Sequence, residues 1–531
     1  MNQFEPAEKL RECRSLFLAV EAIGWLHMVG KAKADFLRGK GGVSEDNKYE
    51  YTQWFKYENP PFPWDDLLRW VKDTLTLDQK AWPAALTDFV SKHTKMDPGL
   101  LGLLQAGHGM ASGIEKNLPK PTSEYLGQDL AHMWLSSAFG YPVRNLLADP
   151  PEVLTDAGWK RLVEEIRQIL KGLENLGRSG CKDVQQWWYW REKAIGAESF
   201  LRQAFMSTLA ETRLPNNDVT LWDQSYVAAA LFKSAVAGAI LEELDGQSFP
   251  WGNNDLKQKT QWRLLTIGMG ICHYEARAVK IGDWTGTQRA IEDFFTRVRK
   301  LVEVDLTLGS LLYRDTEVAV FSFPGERDGA NRDLKIDQWK EYLQACIDKL
   351  AQDLKLETPP YCNISSGASR SLILLTKEVR RARETMAVPV YRRWNIPETN
   401  GSAQSGHVCS VCLVRLNGRP DDKQRPCEVC DARRRHRLDD WLRGRMGNNT
   451  IWIDEVADGN DRVALLTLSL DIEPWLDGSR VDSLRAQSIA EWRRYNPVLT
   501  EYWQQKEEKR KGIDNPMRHL RCPEIKAATG E

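Results

Sequence analysis

Apolar residues recur every three or four positions through most of the first 244 residues of the chain. This spacing places the apolar side chains on one face of an α-helix, so it predicts amphipathic helices packed around a core. The clearest helical segments are Leu16–Val29, Val153–Leu173 and Trp222–Leu244. The pattern therefore predicts a helical domain over residues 1–245.

The pattern changes near Gly246, where short β-rich runs begin to alternate with helical segments. In chain order it predicts a strand at Trp262–Cys272, a helix at Thr287–Val304, a hairpin of Ser310–Tyr313 and Val318–Phe323, a helix at Ile336–Leu354, a strand at Leu372–Leu375 and a basic helix at Lys377–Met386. The order strand, helix, hairpin, helix, strand is typical of a ferredoxin-like α+β domain. We assign this predicted domain to residues 246–400.

The rest of the chain is predicted to form two further units. A small, polar stretch at Gly401–Gly406 is typical of a linker, and it opens a cysteine-rich module over residues 401–447. The β-rich run Val463–Leu470 predicts the first strand of a second α+β domain over residues 448–531. The expected fold class is therefore multidomain α+β.

The composition limits the range of functions. The 531 residues include 73 Lys and Arg and 74 Asp and Glu, which gives a formal net charge of −1. This balance excludes a uniformly basic nucleic-acid coat, so any contact with nucleic acid must come from local basic patches. Met1–Arg14 is polar and charged, and no apolar run reaches the ~20 residues of a membrane span. We therefore expect a cytoplasmic protein with no membrane partner.

Four of the ten cysteines form two closely spaced pairs, Cys409 with Cys412 and Cys427 with Cys430, with fourteen residues between the pairs. A Cys-x2-Cys pair directs two thiolates at one ion, and two such knuckles complete a tetrahedral zinc site. Four protein ligands leave no position for a substrate, so we expect a structural zinc ion. The alternative is a set of free thiols in a loop.

A run of basic residues follows the second cysteine pair directly and includes Arg433, Arg434, Arg435 and Arg437. Guanidinium groups match the geometry of phosphate oxygens, so these side chains are candidates for contact with an RNA backbone. The alternative interpretation is a solvated helix face.

Three N-terminal segments contain candidate ligands of a catalytic metal. They are Trp25–Lys31 with His27, Gln105–Gly109 with His108, and Leu221–Ser225 with Asp223. These segments resemble the metal-binding helices of HD-type phosphohydrolases, in which an adjacent His and Asp hold the ion that activates water. Met28 stands in the place of that Asp, and a thioether does not replace a carboxylate at a Mg, Mn or Fe site. Either the three candidates hold one metal ion together, or they are hydrogen-bonded residues of a helical scaffold.

The predicted hairpin has two acidic residues at its turn, Asp315 and Glu317. In palm-type cyclases and polymerases the corresponding turn is Gly-Gly-Asp-Asp, whose carboxylates hold two Mg ions and whose glycines allow the nucleotide to approach the backbone. Here the glycines are absent and Arg314 adds bulk and charge. The alternatives are a polar hairpin turn and a site for one ion. Asp471, at the end of the run Val463–Leu470, is a further candidate palm ligand.

In this order, a degenerate HD domain, a palm, a four-cysteine zinc module and the beginning of a second palm resemble the large subunit of type III CRISPR interference complexes, in particular its divergent Csx branch. The segments that carry the resemblance are Trp25–Lys31, Ala106–Lys116, Leu221–Lys233, Leu308–Pro324, Cys409–Arg435 and Ala464–Gly478. The resemblance implies a scaffold that binds a guide RNA and its paired target RNA and assembles with other CRISPR effector subunits.

The sequence departs from that family at each catalytic point, because Met28 replaces the HD aspartate and Gly-Gly-Asp-Asp occurs nowhere in the chain. The leading hypothesis is a scaffold and nucleic-acid-binding subunit of a type III antiviral effector complex, with its second palm incomplete. The alternative is an enzyme, a metal-dependent HD phosphohydrolase or single-stranded DNase that uses Mg or Mn with altered ligands. A third hypothesis is a zinc-ribbon protein that binds nucleic acid through residues 401–447.

Overall fold

The computed structural model describes residues 4–33, 69–73, 77–91, 96–112, 134–136, 142–146, 149–210, 216–217, 219–244, 248–271, 274, 276–329, 334–386, 394 and 406–442. The predicted domain 448–531, with Asp471, and most of the predicted linker lie outside these residues. The described residues form a mixed α+β structure with a helical part, a four-stranded antiparallel sheet and a four-cysteine cluster.

The N-terminal part is mainly helical, as predicted. Its described helices are α1 (Glu5–Glu12), α2 (Arg14–Leu26), α3 (Asp88–Ser91), α4 (Gly99–Ala111), α5 (Asp156–Arg178), α6 (Val184–Ile195), α7 (Phe200–Met206) and α8 (Leu221–Leu244), with short 3-10 turns at Val29–Ala32, Gln79–Ala81 and Glu152–Leu154. The helices expected around Leu16, Val153 and Trp222 correspond to α2, α5 and α8. A small sheet of β1 (Trp134–Ser136), β2 (Pro142–Asn145) and β3 (Asn216–Asn217) has the order β2-β1-β3.

Side chains cap the first turns of several N-terminal helices, among them α5 and α6. Thr155 Oγ1 accepts a hydrogen bond from the backbone N–H of Gly158 at the start of α5. Asp183 Oδ1 accepts one from the backbone N–H of Gln185 at the start of α6. These bonds satisfy amide donors that have no partner within their own helix.

The helices α2 and α4 both pack against α8 at very short range. A Cβ added to Gly24 of α2 would lie 2.6 Å from the Cα of Ala229, and one added to Gly107 of α4 would lie 2.9 Å from the carbonyl oxygen of Ala228. Both distances are too short for a real side chain, so glycines on α2 and α4 meet small residues on α8. This close approach positions His27 and His108, which lie near those glycines, beside each other.

The C-terminal part of the described structure contains β4 (Trp262–Gly268), β5 (Leu311–Arg314), β6 (Val318–Pro324) and β7 (Tyr361–Ile364), with the helices α9 (Leu256–Lys259), α10 (Ile281–Lys300), α11 (Ile336–Asp353), α12 (Leu372–Met386) and α13 (Glu428–Leu442) and a π-helical turn at Leu301–Asp305. The sheet order is β5-β6-β4-β7, and every neighbouring pair is antiparallel. From β4 to β7 the element order is β-α-β-β-α-β, which is the predicted order; we call residues 262–364 the sheet unit.

One predicted strand is wrong. Leu372–Leu375 belongs to the helix α12, and the last strand of the sheet is Tyr361–Ile364 instead. A short apolar run does not distinguish a strand from a buried helix turn, and here the run continues directly into the predicted basic helix.

The helical part and the sheet unit are joined by a single hydrophobic core. Buried residues from Ala7 in α1 to Val379 in α12 form one continuous cluster. The long helix α8 contacts β4, β5 and β6 as well as α2 and α4. The change of pattern near residue 245 is therefore a change of secondary structure within one core.

Candidate metal centre and surrounding residues

The four cysteines predicted as metal ligands form one buried cluster. The Sγ atoms of Cys409, Cys412, Cys427 and Cys430 all lie within 4.8 Å of one another, and those of Cys412 and Cys427 are 3.9 Å apart. Sulfur atoms arranged tetrahedrally at about 2.3 Å from a zinc ion are separated by about 3.8 Å, so this spacing fits zinc. All four side chains are buried. The cluster is able to hold a metal ion, and its four ligands leave no open position for catalysis.

Hydrogen bonds close the first knuckle around Cys409. Its backbone N–H donates to the carbonyl of Arg415 at 2.8 Å, and its carbonyl accepts from the N–H of Leu413 at 3.1 Å. Its Sγ accepts from the N–H groups of Cys427 at 3.1 Å and Val411 at 3.4 Å. Leu413 has a φ of 56°, in the left-handed region that favours glycine. The knuckle therefore closes at the expense of backbone strain at Leu413.

The thiols of the cluster also hydrogen-bond to one another. Bonds from the other thiols, that of Cys412 first, lower the pKa of Cys409, and the backbone N–H of Cys427 adds to this effect. Contacts with the same thiols, that of Cys409 first, raise the pKa of Cys430. Zinc binds thiolates, so a bound ion would displace the protons that the four sulfur atoms otherwise hold.

The cysteine cluster is attached to the sheet unit through α10 and the residues just before it. Arg277 Nη1 donates to the carbonyl of Cys412 at 2.8 Å. Along the helix pair, a Cβ added to Gly286 of α10 would lie 2.2 Å from the carbonyl oxygen of Arg433, so the backbones of α10 and α13 are nearly in contact. Arg434 of α13 makes two hydrogen bonds with the carboxylate of Asp283, at 2.7 and 2.9 Å.

A second ionic contact joins the module to the segment that follows α11. The carboxylate of Glu357 is buried between Arg415 and Arg433, and it accepts hydrogen bonds from both. Burial alone would raise the pKa of Glu357, but the charges of Arg433 and Arg415 lower it below its usual range. Tyr274 Oη accepts the backbone N–H of Glu357 at 2.9 Å. Two arginines thus pair with one buried carboxylate at this interface.

These contacts change the interpretation of the basic run. Arg433 and Arg434 form ion pairs within the protein. Neither predicted interpretation, a solvated helix face or a contact with an RNA backbone, included such pairs. Arg435 is largely exposed and pairs with Asp431 at 2.7 Å, one helical turn away. The side chain of Arg437 lies outside the described residues.

The structure brings His27 and His108 together. Their Nε2 and Nδ1 atoms are 3.0 Å apart, and His27 Nδ1 lies 2.6 Å from the carbonyl oxygen of Gly24. A carbonyl only accepts, so His27 Nδ1 is protonated and Nε2 accepts from His108. Burial lowers the pKa of His27 to about 4, with a smaller contribution from the charge of Lys31. In this arrangement neither ring nitrogen of His27 has a lone pair available for a metal.

Asp223 does not join the two histidines. It lies in the exposed first turn of α8, where its carboxylate accepts hydrogen bonds from the backbone N–H and the hydroxyl of Thr220 at 2.9 and 2.7 Å. Among the residues that the structure describes, the four cysteines are the only group of three or more His, Cys, Asp or Glu side chains close enough to hold a metal ion. The predicted arrangement of His27, His108 and Asp223 around one ion is therefore not formed.

The hairpin between β5 and β6 is a polar turn, and Asp315 closes it. Asp315 Oδ1 accepts from the backbone N–H groups of Glu317 and Val318, both at 2.8 Å. Its other oxygen accepts from the hydroxyl of Tyr313 at 3.0 Å and pairs with Arg383 of α12. The carboxylate is thus already used by the turn and by an arginine, and among the described residues it belongs to no group of three or more His, Cys, Asp or Glu side chains close enough to hold a metal ion.

The most heavily buried charges lie elsewhere, in a network that the sequence did not reveal. Glu21 of α2 accepts hydrogen bonds from Arg191 of α6 at 2.7 Å, Lys233 of α8 at 2.9 Å and Ser310 at 2.6 Å. Arg191 also pairs at 2.8 Å with Glu303 in the π-helical turn. The side chains of the four charged residues are fully buried.

Opposite charges keep Glu21 ionised. Burial alone would raise the pKa of Glu21, but Arg191 and Lys233 lower it to about 2. We call Glu21, Arg191, Lys233, Glu303 and Ser310 the buried ionic network. The sequence offers one signal for this network, which is a charged residue inside a long apolar helix. Glu21 and Lys233 are such residues. The network connects three helices of the N-terminal part to the sheet unit.

No family model matches the chain, and no curated protein matches it either. In the part of the chain that the structure describes, no helix is both long enough and apolar enough to cross a membrane.

Proposed function

We propose that the chain is a scaffold subunit that binds nucleic acid and is related to the large subunit of type III CRISPR interference complexes. The main observation behind this proposal is the attachment of the cysteine module to the sheet unit through Asp283–Arg434 and Glu357. A module with a closed metal site, held rigidly against its neighbour, presents a surface rather than a reaction centre. The candidate catalytic side chains are engaged in structural hydrogen bonds.

The order of the parts supports the relationship to that family. A helical part comes first, a β-α-β-β-α-β unit follows, and the four-cysteine module comes third. In this proposal the helical part is a degenerate HD domain, because His27 is used by Gly24 and His108. The sheet unit is a ferredoxin-like palm without a metal site, because Asp315 closes its turn. Residues 448–531 would contribute the beginning of the second palm.

In this proposal the nucleic-acid contact is made by arginines with exposed side chains, and no longer by Arg433 and Arg434. On α12, the side chains of Arg380 and Arg381 are 66% and 67% exposed. Arg435 on α13 is 62% exposed. Exposed arginines of this kind pair only weakly with neighbouring carboxylates, so a phosphate backbone would compete for them. The partners would be a guide RNA, its target RNA and the other effector subunits, in the cytoplasm.

An RNA-binding measurement tests this proposal. Fluorescence anisotropy with labelled single-stranded poly(U) RNA would compare the wild type with Arg380→Glu/Arg381→Glu at several salt concentrations. We expect weaker binding and a shallower salt dependence in the variant, by about 0.7 in logarithmic slope for each phosphate that the variant no longer neutralises. Arg161→Glu, at an exposed arginine of α5, is the matched control. Equal affinity and equal slope for the three proteins would contradict the proposal.

The alternative is a metal-dependent hydrolase, which requires the hydrogen bond between His27 and His108 to open so that a ring nitrogen is released for the ion. Two histidines that the sequence predicted from separate segments are in direct contact, 3.0 Å apart. Elemental analysis distinguishes the two functions. The scaffold predicts one equivalent of zinc, retained by His27→Ala. The hydrolase predicts a second bound metal and cleavage of single-stranded DNA with Mn²⁺, both absent in that variant.

A further inference from the structure

Four arginine side chains connect the cysteine cluster to the sheet unit. They are Arg277, Arg415, Arg433 and Arg434, and we call them the interface arginines. Arg415 belongs to the first knuckle, where its carbonyl accepts the backbone N–H of Cys409 at 2.8 Å and its side chain is buried. Arg434 follows Cys430 by four residues on α13, so the two side chains lie on the same face of that helix. Each interface arginine is thus either within a few residues of a metal ligand or hydrogen-bonded to one.

The charges of the module and its ion-pair partners balance only when the cysteines are thiolates that hold a divalent ion. The interface arginines carry four positive charges, and Glu357 and Asp283, which pair with three of them, carry two negative charges. The remaining charged side chains of residues 406–435 are four basic and four acidic, so they cancel. Two positive charges are left over, and a zinc ion bound by four thiolates carries two negative charges. Four protonated thiols would leave the arginines uncompensated.

The interface arginines act on the sulfur atoms through their charge. Arg415 interacts electrostatically with ionised Cys412 and Cys427, and Arg434 interacts with ionised Cys430. The side chain of Arg415 is 5% exposed and that of Arg434 is 21% exposed, so solvent screens these interactions less than it screens an ion pair on the surface. A positive charge beside a cysteine favours the thiolate, which is the form that binds zinc.

We propose that Arg415 and Arg434 set the zinc affinity of the cysteine cluster, because their positive charges stabilise the four thiolates around the ion. The same guanidinium groups pair with Glu357 and Asp283, so zinc binding and the attachment of the module to the sheet unit support each other. Loss of zinc leaves two positive charges unbalanced at the interface and thereby weakens the attachment. The arginines thus belong to the metal centre as well as to the interface.

The two partners of one ion pair separate this role from a purely structural one. Arg434→Gln and Asp283→Asn break the same pair, but the first removes a positive charge and the second removes a negative charge. We expect the zinc affinity of the full-length protein, measured by competition with the chelator pyridylazoresorcinol at neutral pH, to fall about tenfold in Arg434→Gln. In Asp283→Asn it is expected to stay at the wild-type level or to rise. A purely structural role would weaken zinc binding in both variants.

Three further variants complete the comparison. Arg434→Lys keeps the positive charge without the two parallel hydrogen bonds, and its zinc affinity is expected to stay within about twofold of the wild type. Glu357→Gln removes the negative charge of the other ion pair and is expected not to weaken zinc binding. Arg435→Gln, at the exposed neighbour of Arg434, is the matched control and is expected to leave the affinity unchanged. Far-UV circular dichroism and the zinc content at saturation check that each variant is folded.

Equal losses of zinc affinity in Arg434→Gln and Asp283→Asn would overturn the proposal, because the ion pair would then act only by holding α13 in place. An unchanged affinity in Arg434→Gln would overturn it as well. If Arg434→Gln does not fold, weaker zinc binding in Glu357→Gln is the overturning result, since that variant keeps every interface arginine.

Discussion

Arg434 and Asp283 are joined by two hydrogen bonds, 2.7 and 2.9 Å long, across the interface between α13 and α10. Asp283 is almost fully buried and also accepts the backbone N–H of Lys280 at the start of α10. The pair therefore joins the cysteine module to the sheet unit and caps a helix at the same time. An arginine that sequence suggested for phosphate binding has a structural partner instead.

A double-mutant cycle measures the contribution of this pair. Asp283→Asn and Arg434→Gln are each expected to destabilise the protein, with a coupling energy of about 1–3 kcal/mol in urea unfolding. The more exposed pair Asp431 and Arg435, in the same helix, is the control, and its coupling is expected to stay below about 0.5 kcal/mol. Equal coupling in both pairs would mean that α13 is held to α10 by other contacts.

Loss of one cysteine ligand is expected to unfold the module. Cys412→Ser removes a thiolate, and structural zinc supplies the folding free energy of small modules. We expect zinc content to fall and the thermal transition of the segment after Gly401 to disappear. Cys181→Ser, at a half-buried cysteine outside the cluster, is expected to change neither. Unchanged zinc content and melting in Cys412→Ser would show that the cluster is not a structural metal site.

The buried ionic network is expected to be sensitive to the loss of one partner. Arg191→Met leaves Glu21 and Glu303 without their shared guanidinium in a fully buried site. We expect the free energy of unfolding in urea to fall by about 3–5 kcal/mol. Arg178→Met removes an exposed arginine of α5 and is expected to cost less than about 1 kcal/mol. A small effect at Arg191 would indicate that water enters the network.

His27 is expected to make stability depend on pH. Its folded-state pKa of about 4 lies below the ordinary value of 6.5, so between these values the unfolded chain binds a proton that the folded chain does not. Stability is therefore complete above pH 6.5 and falls by about 3 kcal/mol as the pH decreases to 4.

The test of this pH dependence is the melting temperature of His27→Gln across the same range. Glutamine keeps an acceptor for His108 and does not titrate, so its melting curve is expected to vary less with pH. His407→Gln is the control and is expected to keep the wild-type slope. If the melting temperature of His27→Gln changes with pH as steeply as that of the wild type, groups other than His27 cause the pH dependence.

Local patterns were sufficient to predict much of the fold. The long helices α2, α5 and α8, the hairpin with its polar turn, and the cysteine pairs all depend on residues close together in the chain. The strand β7 was missed because its four residues give too short a pattern, and Leu372–Leu375 was assigned to a strand in its place.

The partners of the candidate site residues could not be predicted in the same way. Arg434 pairs with Asp283, 151 residues earlier, and Arg433 pairs with Glu357, 76 residues earlier. A single sequence shows which side chains are charged, but not which distant carboxylate the fold brings to them. The contact of His27 with His108 depends in the same way on the close packing of α2 and α4 against α8.

The buried ionic network has a consequence for the synthesis of the protein. Ser310 follows Glu21 by 289 residues. At translation rates of about 5–20 residues per second, roughly 15–60 s separate the two residues as they leave the ribosome. During that time the N-terminal helices contain a carboxylate without its full set of partners. We therefore expect the nascent helical part to need chaperones, and a fragment that ends at residue 245 to aggregate when expressed alone.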